Sequence, residues 1–201
     1  KVYLIHRRDS LRAAKIYHEP LKTAENVEIL WDTVASELIA DNKVTGLKIK
    51  NVFVIGAGFM GSGIVENVAA KGLPVAVYDV NVLSLMKSEA NIKKRLDNQV
   101  FRERISEEER DEILSRITFV HELEECRDYD LVIEAATENK ELKVSILQDV
   151  EKYVGIDTII ATNTSSISIT ALAAKLRRPE RFLGLHFFSP VPKMRLLELV
   201  K

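Results

Sequence analysis

The stretch Asn51–Gly63, NVFVIGAGFMGSG, constrains the chain more than any other. Four apolar residues, Val52 to Ile55, run into Gly56-Ala57-Gly58-Phe59-Met60-Gly61, and a helical pattern, SGIVENVAAKG, starts directly after. Strand, glycine turn and helix N-terminus follow in that order, and each glycine has its own physical reason. Gly56 allows a tight turn off the strand, Gly58 leaves the backbone open to a pyrophosphate, and Gly61 lets the helix pack close on the strand. The helix start, with Phe59 and Met60 in its first turn, offers free N–H groups and a partial positive charge to phosphates. A second apolar strand, Val75–Tyr78, ends at Asp79. That acid lies about 20 residues downstream, where a carboxylate accepts from adenosine ribose hydroxyls and repels a 2′-phosphate. The pattern predicts a dinucleotide cradle that takes NAD in preference to NADP.

From Val52 onward, strand and helix alternate. A long polar helix is predicted from Val82 to about Gln99. A second helix begins at Ser106, where Ser106 and Glu109 form the capping pattern S-x-x-E. Further strands are predicted at Thr118–Val120, Leu131–Ala135, Thr158–Ala161 and Phe182–Leu185, with helices at Glu141–Val154 and Ile169–Leu176. Such alternation gives an α/β, doubly wound parallel sheet of Rossmann type. Ligands of these sheets bind beyond the carboxyl ends of the strands. Asp79, Glu138, Asn163, Ser165 and His186 all fall at those ends.

The first fifty residues read as a separate strand–helix–strand piece followed by a β-hairpin, giving a division into 1–50 and 51–201. Lys1–Ile5 and Val27–Trp31 are the strands, and the hairpin turns around Asp41-Asn42-Lys43. VAVY and LVIEA already supply both neighbours of the glycine-loop strand. The early strands are therefore left to a sheet edge, a separate layer with the hairpin, or a second copy of the chain. An exposed pair of apolar strands is an association hazard, which opens a route to a homodimer. His6-Arg7-Arg8 with Arg12-Ala13, and the later VTGLKIKN, resemble a piece of the NADPH domain of thioredoxin reductases. That resemblance implies arginines that grip a 2′-phosphate, and a chimera joined at Lys50–Asn51. The alternative for Arg7, Arg8 and Arg12 is solvated arginines on a structural add-on.

Composition excludes several partners. A formal net charge of -1 gives no sign of a nucleic-acid or membrane surface. No apolar run approaches the ~20 residues of a membrane span. The single cysteine, Cys126, leaves no internal disulfide framework and suits a reducing, cytoplasmic compartment. No Cys/His cluster marks a zinc site.

Taken together, GAGFMGSGI, VYD, IEAATENKELK, ATNTSSISI and LGLHFFSPVPKMRLLELV resemble the NAD-binding domain of the 3-hydroxyacyl-CoA dehydrogenases, over about three quarters of the chain. The resemblance implies NAD-dependent oxidation of a 3-hydroxyacyl-CoA to the 3-oxoacyl-CoA, as in fatty-acid β-oxidation. By the family pattern His186 is the general base for the substrate 3-hydroxyl. Glu198 orients that ring, and Ser165 contacts the substrate oxygen. Glu138 and Lys143 line the cofactor, with Asn163 beside it. Where the family pattern has asparagine three residues after the histidine, this chain has Ser189, which offers fewer hydrogen bonds. The family continues into a helical C-terminal domain that dimerises and closes over the acyl chain. Two function classes stand at this point: an oxidoreductase domain, and a non-catalytic dinucleotide-binding module of chimeric origin.

Overall fold

The computed structural model describes residues 2–6, 27–31 and 49–201. The strands, in chain order, are β1 (Val2–His6), β2 (Val27–Trp31), β3 (Val52–Ile55), β4 (Val75–Tyr78), β5 (Ile117–Val120), β6 (Leu131–Glu134), β7 (Ile159–Thr162), β8 (Phe182–Phe187) and β9 (Leu196–Val200). The helices are α1 (Phe59–Ala70), α2 (Val82–Phe101), α3 (Glu107–Ser115), α4 (Lys140–Tyr153) and α5 (Ile169–Ala173). The described strands form one sheet in the order β2-β1-β9-β8-β7-β6-β3-β4-β5.

Strand β3 lies between β4 and β6, parallel to both. Its residues alternate between two cores. Val52 and Val54 join Ile64 and Val65 of α1 and Leu85, Ile92 and Leu96 of α2. Phe53 and Ile55 join Leu147 and Val150 of α4 and Leu172 of α5. All four β3 residues are buried, which is why the strand reads as an unbroken apolar run instead of an alternating one. Helices on both faces make the domain doubly wound.

Local signals set the helix starts. Ser106 accepts from the Glu109 amide at 3.1 Å while the Glu109 carboxylate accepts from the Ser106 amide at 2.9 Å, the predicted capping box. Asn81 caps α2 and Asn139 caps α4 through their side-chain oxygens. Cys126 is buried in the second core, and burial pushes its thiol up to about 11. No helix among the described residues is long and apolar enough to cross a membrane.

One feature departs from the sequence reading. Leu196–Val200, given no strand by its pattern, is β9, and it runs antiparallel to β8. The sheet is therefore parallel from β5 to β8 and mixed beyond. The early strands settle on that edge. β1 pairs antiparallel with β9, and β2 pairs parallel with β1 on the far side. The helix expected after His6, Arg7, Arg8, Arg12 and the hairpin lie outside the described residues.

Candidate active site

The glycine loop adopts the geometry its sequence requires. Gly56 has φ +101°, and a Cβ there would stand 2.7 Å from the Ala135 carbonyl oxygen. A Cβ on Gly61 would fall 1.7 Å from the Gly56 carbonyl oxygen, so the first turn of α1 touches the strand exit through backbone alone. Gly58 is different: a Cβ there would meet nothing within 4 Å. Gly58 is also the N-cap of α1, and no side chain caps the helix. The loop thus presents an open face and uncapped first-turn N–H groups, which suits a pyrophosphate. Phe59 is 71% exposed at the same turn.

Asp79, at the end of β4, is tied into this loop. Its Oδ2 accepts from the Ala57 amide at 2.8 Å, and its Oδ1 accepts from the Asn81 amide at 2.8 Å. Each carboxylate oxygen has a further lone pair, so the group can still accept from ribose hydroxyls. The contact fixes where the carboxylate points.

The ends of β6 and β7 carry a polar network that the sequence reading foresaw only in part. Glu138 bridges the two strand exits. Its Oε1 accepts from the Thr164 hydroxyl, from the Ser166 hydroxyl at 2.9 Å, and from the Ser165 and Ser166 amides at 3.2 Å. Burial raises the Glu138 carboxyl. The Thr164 and Ser166 hydrogen bonds and the nearby Lys143 charge outweigh that and hold it below its ordinary value. Lys143 does not stand on the open surface. It is 1% exposed, and its Nζ donates to Glu134 Oε1 at 2.8 Å, Glu134 Oε2 at 3.0 Å and the Ala136 carbonyl at 3.2 Å. Glu134, a residue the sequence reading left as the tail of a buried strand, is wholly buried beneath the site. The signal that could have marked it is the acid itself, the one charge in the apolar run LVIEA.

His186 lies near the end of β8, directly opposite Glu198 of β9 in the antiparallel register. Its Nδ1 is 2.9 Å from Glu198 Oε2. The Phe188 ring sits against the imidazole with centroids 4.5 Å apart. Asn163 holds this strand end: its Oδ1 accepts from the Phe187 amide at 2.8 Å. The loop after β8 folds back onto the glycine-loop helix, where Val191 is buried, and Asn67 of α1 donates to the Val191 carbonyl at 3.3 Å. Ser165 is exposed, and the cap of α5 is Ser168, not Ser165. Because β3, β4, β6, β7 and β8 are mutually parallel, the glycine loop, Asp79, Glu138, Asn163, Ser165 and His186 share one sheet edge.

A doubly wound sheet with an open glycine cradle and a His–Glu pair on the same edge defines a dinucleotide-binding domain of dehydrogenase type. The match to known proteins narrows this. Residues 51–201 match the family described as "3-hydroxyacyl-CoA dehydrogenase, NAD binding domain", and the chain belongs to that family. NAD is accordingly the cofactor of this domain. A 3-hydroxybutyryl-CoA dehydrogenase of Bradyrhizobium diazoefficiens is 44% identical over 153 residues, covering 76% of this chain and 52% of the relative. A fatty acid oxidation complex subunit alpha of Idiomarina loihiensis is 38% identical, covering 94% of this chain and 29% of the relative. That coverage exceeds residues 51–201, so the match reaches into the first fifty residues. Among solved structures, (S)-3-hydroxybutyryl-CoA dehydrogenase from Ralstonia eutropha superposes with a TM-score of 0.71 at 44% identity, over 73% of this chain and 52% of that one. The chain spans about half the length of the two 3-hydroxybutyryl-CoA dehydrogenases it matches here. None of these relatives is a thioredoxin reductase.

Proposed function

We propose that this domain serves the NAD-dependent oxidation of 3-hydroxyacyl-CoA to 3-oxoacyl-CoA. The observation that carries the reading is the His186–Glu198 pair, 2.9 Å apart on the edge that bears the glycine cradle. A neutral imidazole that donates from Nδ1 to Glu198 leaves its Nε2 lone pair as an acceptor. Nε2 takes the proton of the substrate 3-hydroxyl, and the Glu198 carboxylate stabilises the resulting imidazolium. The exposed Ser165 hydroxyl hydrogen-bonds the substrate oxygen. The loop Gly56–Gly61, the α1 N-terminus and Asp79 hold the dinucleotide, with Glu138 and Asn163 beside it. NAD, when bound, supplies the hydride acceptor. The names of the relatives support a short 3-hydroxyacyl-CoA as the substrate class.

Residues 51–201 are the cofactor-binding unit in this reading, with residues 1–50 an appended piece. The test is NADH oxidation by acetoacetyl-CoA, followed alongside NADH binding by fluorescence. Turnover that is lost in His186→Asn supports the reading. Binding without turnover selects the non-catalytic module.

A further inference from the structure

Lys143 has three N–H donors, and all three are occupied: two by the Glu134 oxygens and one by the Ala136 carbonyl. The neighbouring Glu138 Oε2 stands 3.5 Å from the same ammonium. At that separation it feels the charge but receives no well-formed hydrogen bond. Glu138 Oε1 is consequently left to Thr164, Ser165 and Ser166. A second route runs through Thr162. Its hydroxyl donates to Glu134 Oε2 at 2.6 Å and accepts from the Thr164 amide at 3.4 Å. Both routes start at Glu134 and both end on the loop that carries Ser165.

We propose that Glu134 is a positioning residue. By saturating the Lys143 ammonium, it keeps Lys143 from drawing Glu138 away, so that Glu138 holds the 164–166 backbone and sets Ser165. Glu134 touches neither substrate nor cofactor in this account. The role rests on the dehydrogenase reading only in naming what Ser165 is set to meet.

Glu134→Gln removes one of the two carboxylate acceptors while keeping a carbonyl for Thr162. A freed Lys143 N–H then has Glu138 as its nearest strong acceptor. The added change Lys143→Met removes that competitor and restores charge balance in the buried site. Hydrogen exchange of the free chain reads the result directly. In E134Q the Ser165 and Ser166 amides should exchange about tenfold faster, with β6, β7 and α4 unchanged; in E134Q/K143M they should return to within about threefold of the parent. If E134Q does not fold, Glu134→Asp, which keeps the charge but withdraws the oxygens from Nζ, should show the same loop-confined rise. Unchanged exchange, a rise spread equally over β6, β7 and α4, or a double variant no better than the single would overturn the proposal. No cofactor or substrate enters the measurement, so it stands or falls apart from the turnover assay.

Discussion

His186 and Glu198 stand directly across from each other on antiparallel strands, and the register itself brings the imidazole Nδ1 to 2.9 Å from the carboxylate. In the proposed mechanism these are the base and its orienting acid, and main-chain pairing sets their separation. Loss of the base, His186→Asn, should lower kcat by about 10²–10⁴-fold, the usual worth of general acid–base catalysis. Glu198→Gln should cost less. In the proposed mechanism Glu198 acts only through His186, so the double variant should be no slower than H186N alone. Steady-state rates with NADH and acetoacetyl-CoA check this, and additive losses would separate the two residues.

The two loop glycines should fail in different ways. Gly58→Ala places a methyl in open space, so the melting temperature should hold. NADH affinity should nevertheless fall more than tenfold, over ~1.4 kcal/mol, because the methyl occupies the approach of the pyrophosphate. Gly61→Ala puts a Cβ 1.7 Å from a backbone oxygen. Its loss should be in stability, at or beyond the upper end of the about 1–3 kcal/mol typical of overpacking. Thermal melts and fluorescence titrations on both variants distinguish the outcomes.

Glu138 sets a pH limit. Burial opposes its ionisation, but the Thr164 and Ser166 hydrogen bonds and Lys143 dominate and depress its pKa. A carboxyl depressed on folding binds fewer protons in the folded state. The stability it contributes is therefore fully present above the ordinary glutamate pKa of about 4.3 and is lost as pH falls through the depressed folded value. Melting temperatures of the parent should drop more steeply below about pH 4.3 than those of Glu138→Gln. Parallel curves for the two proteins would show that the network does not act on Glu138 in this way.

How much of this was legible in the sequence depends on the range of the signal. β3, β4 and β7 were readable because central parallel strands are apolar on both faces, and the glycine geometry followed from steric demands within a dozen residues. The capping box at Ser106 is likewise local. β9 was not readable. LLELV is short and carries an acid in its middle, and its identity as a strand comes from pairing with β8 and β1. Glu134 was missed because its meaning depends on Lys143 nine residues on and Thr162 on the next strand. Asp79 was placed correctly as a strand-end acid, but its hold on the Ala57 amide is a tertiary contact that no spacing rule encodes.

The edge formed by β1 and β2 yields the last prediction. β1 covers β9, with Leu4 opposite Glu198 on the side away from His186. A chain beginning at Ile49 keeps the anchors of the domain's entry: the Lys50 amide bonds Asp130 at 2.7 Å, and Asn51 bonds the Asp128 carbonyl at 3.0 Å. The glycine cradle lies several strands away from β1 in the sheet order. NADH affinity should therefore stay within about threefold, roughly 0.65 kcal/mol. β9 becomes the open edge instead, presenting unpaired N–H and C=O groups in the middle of LLELV. Association through that edge should appear as a concentration-dependent mass increase in light scattering, beyond any shown by the longer chain at the same concentration. If the shorter chain folds but loses NADH affinity, residues before Ile49 contribute to the cofactor site, and the division at residue 51 fails.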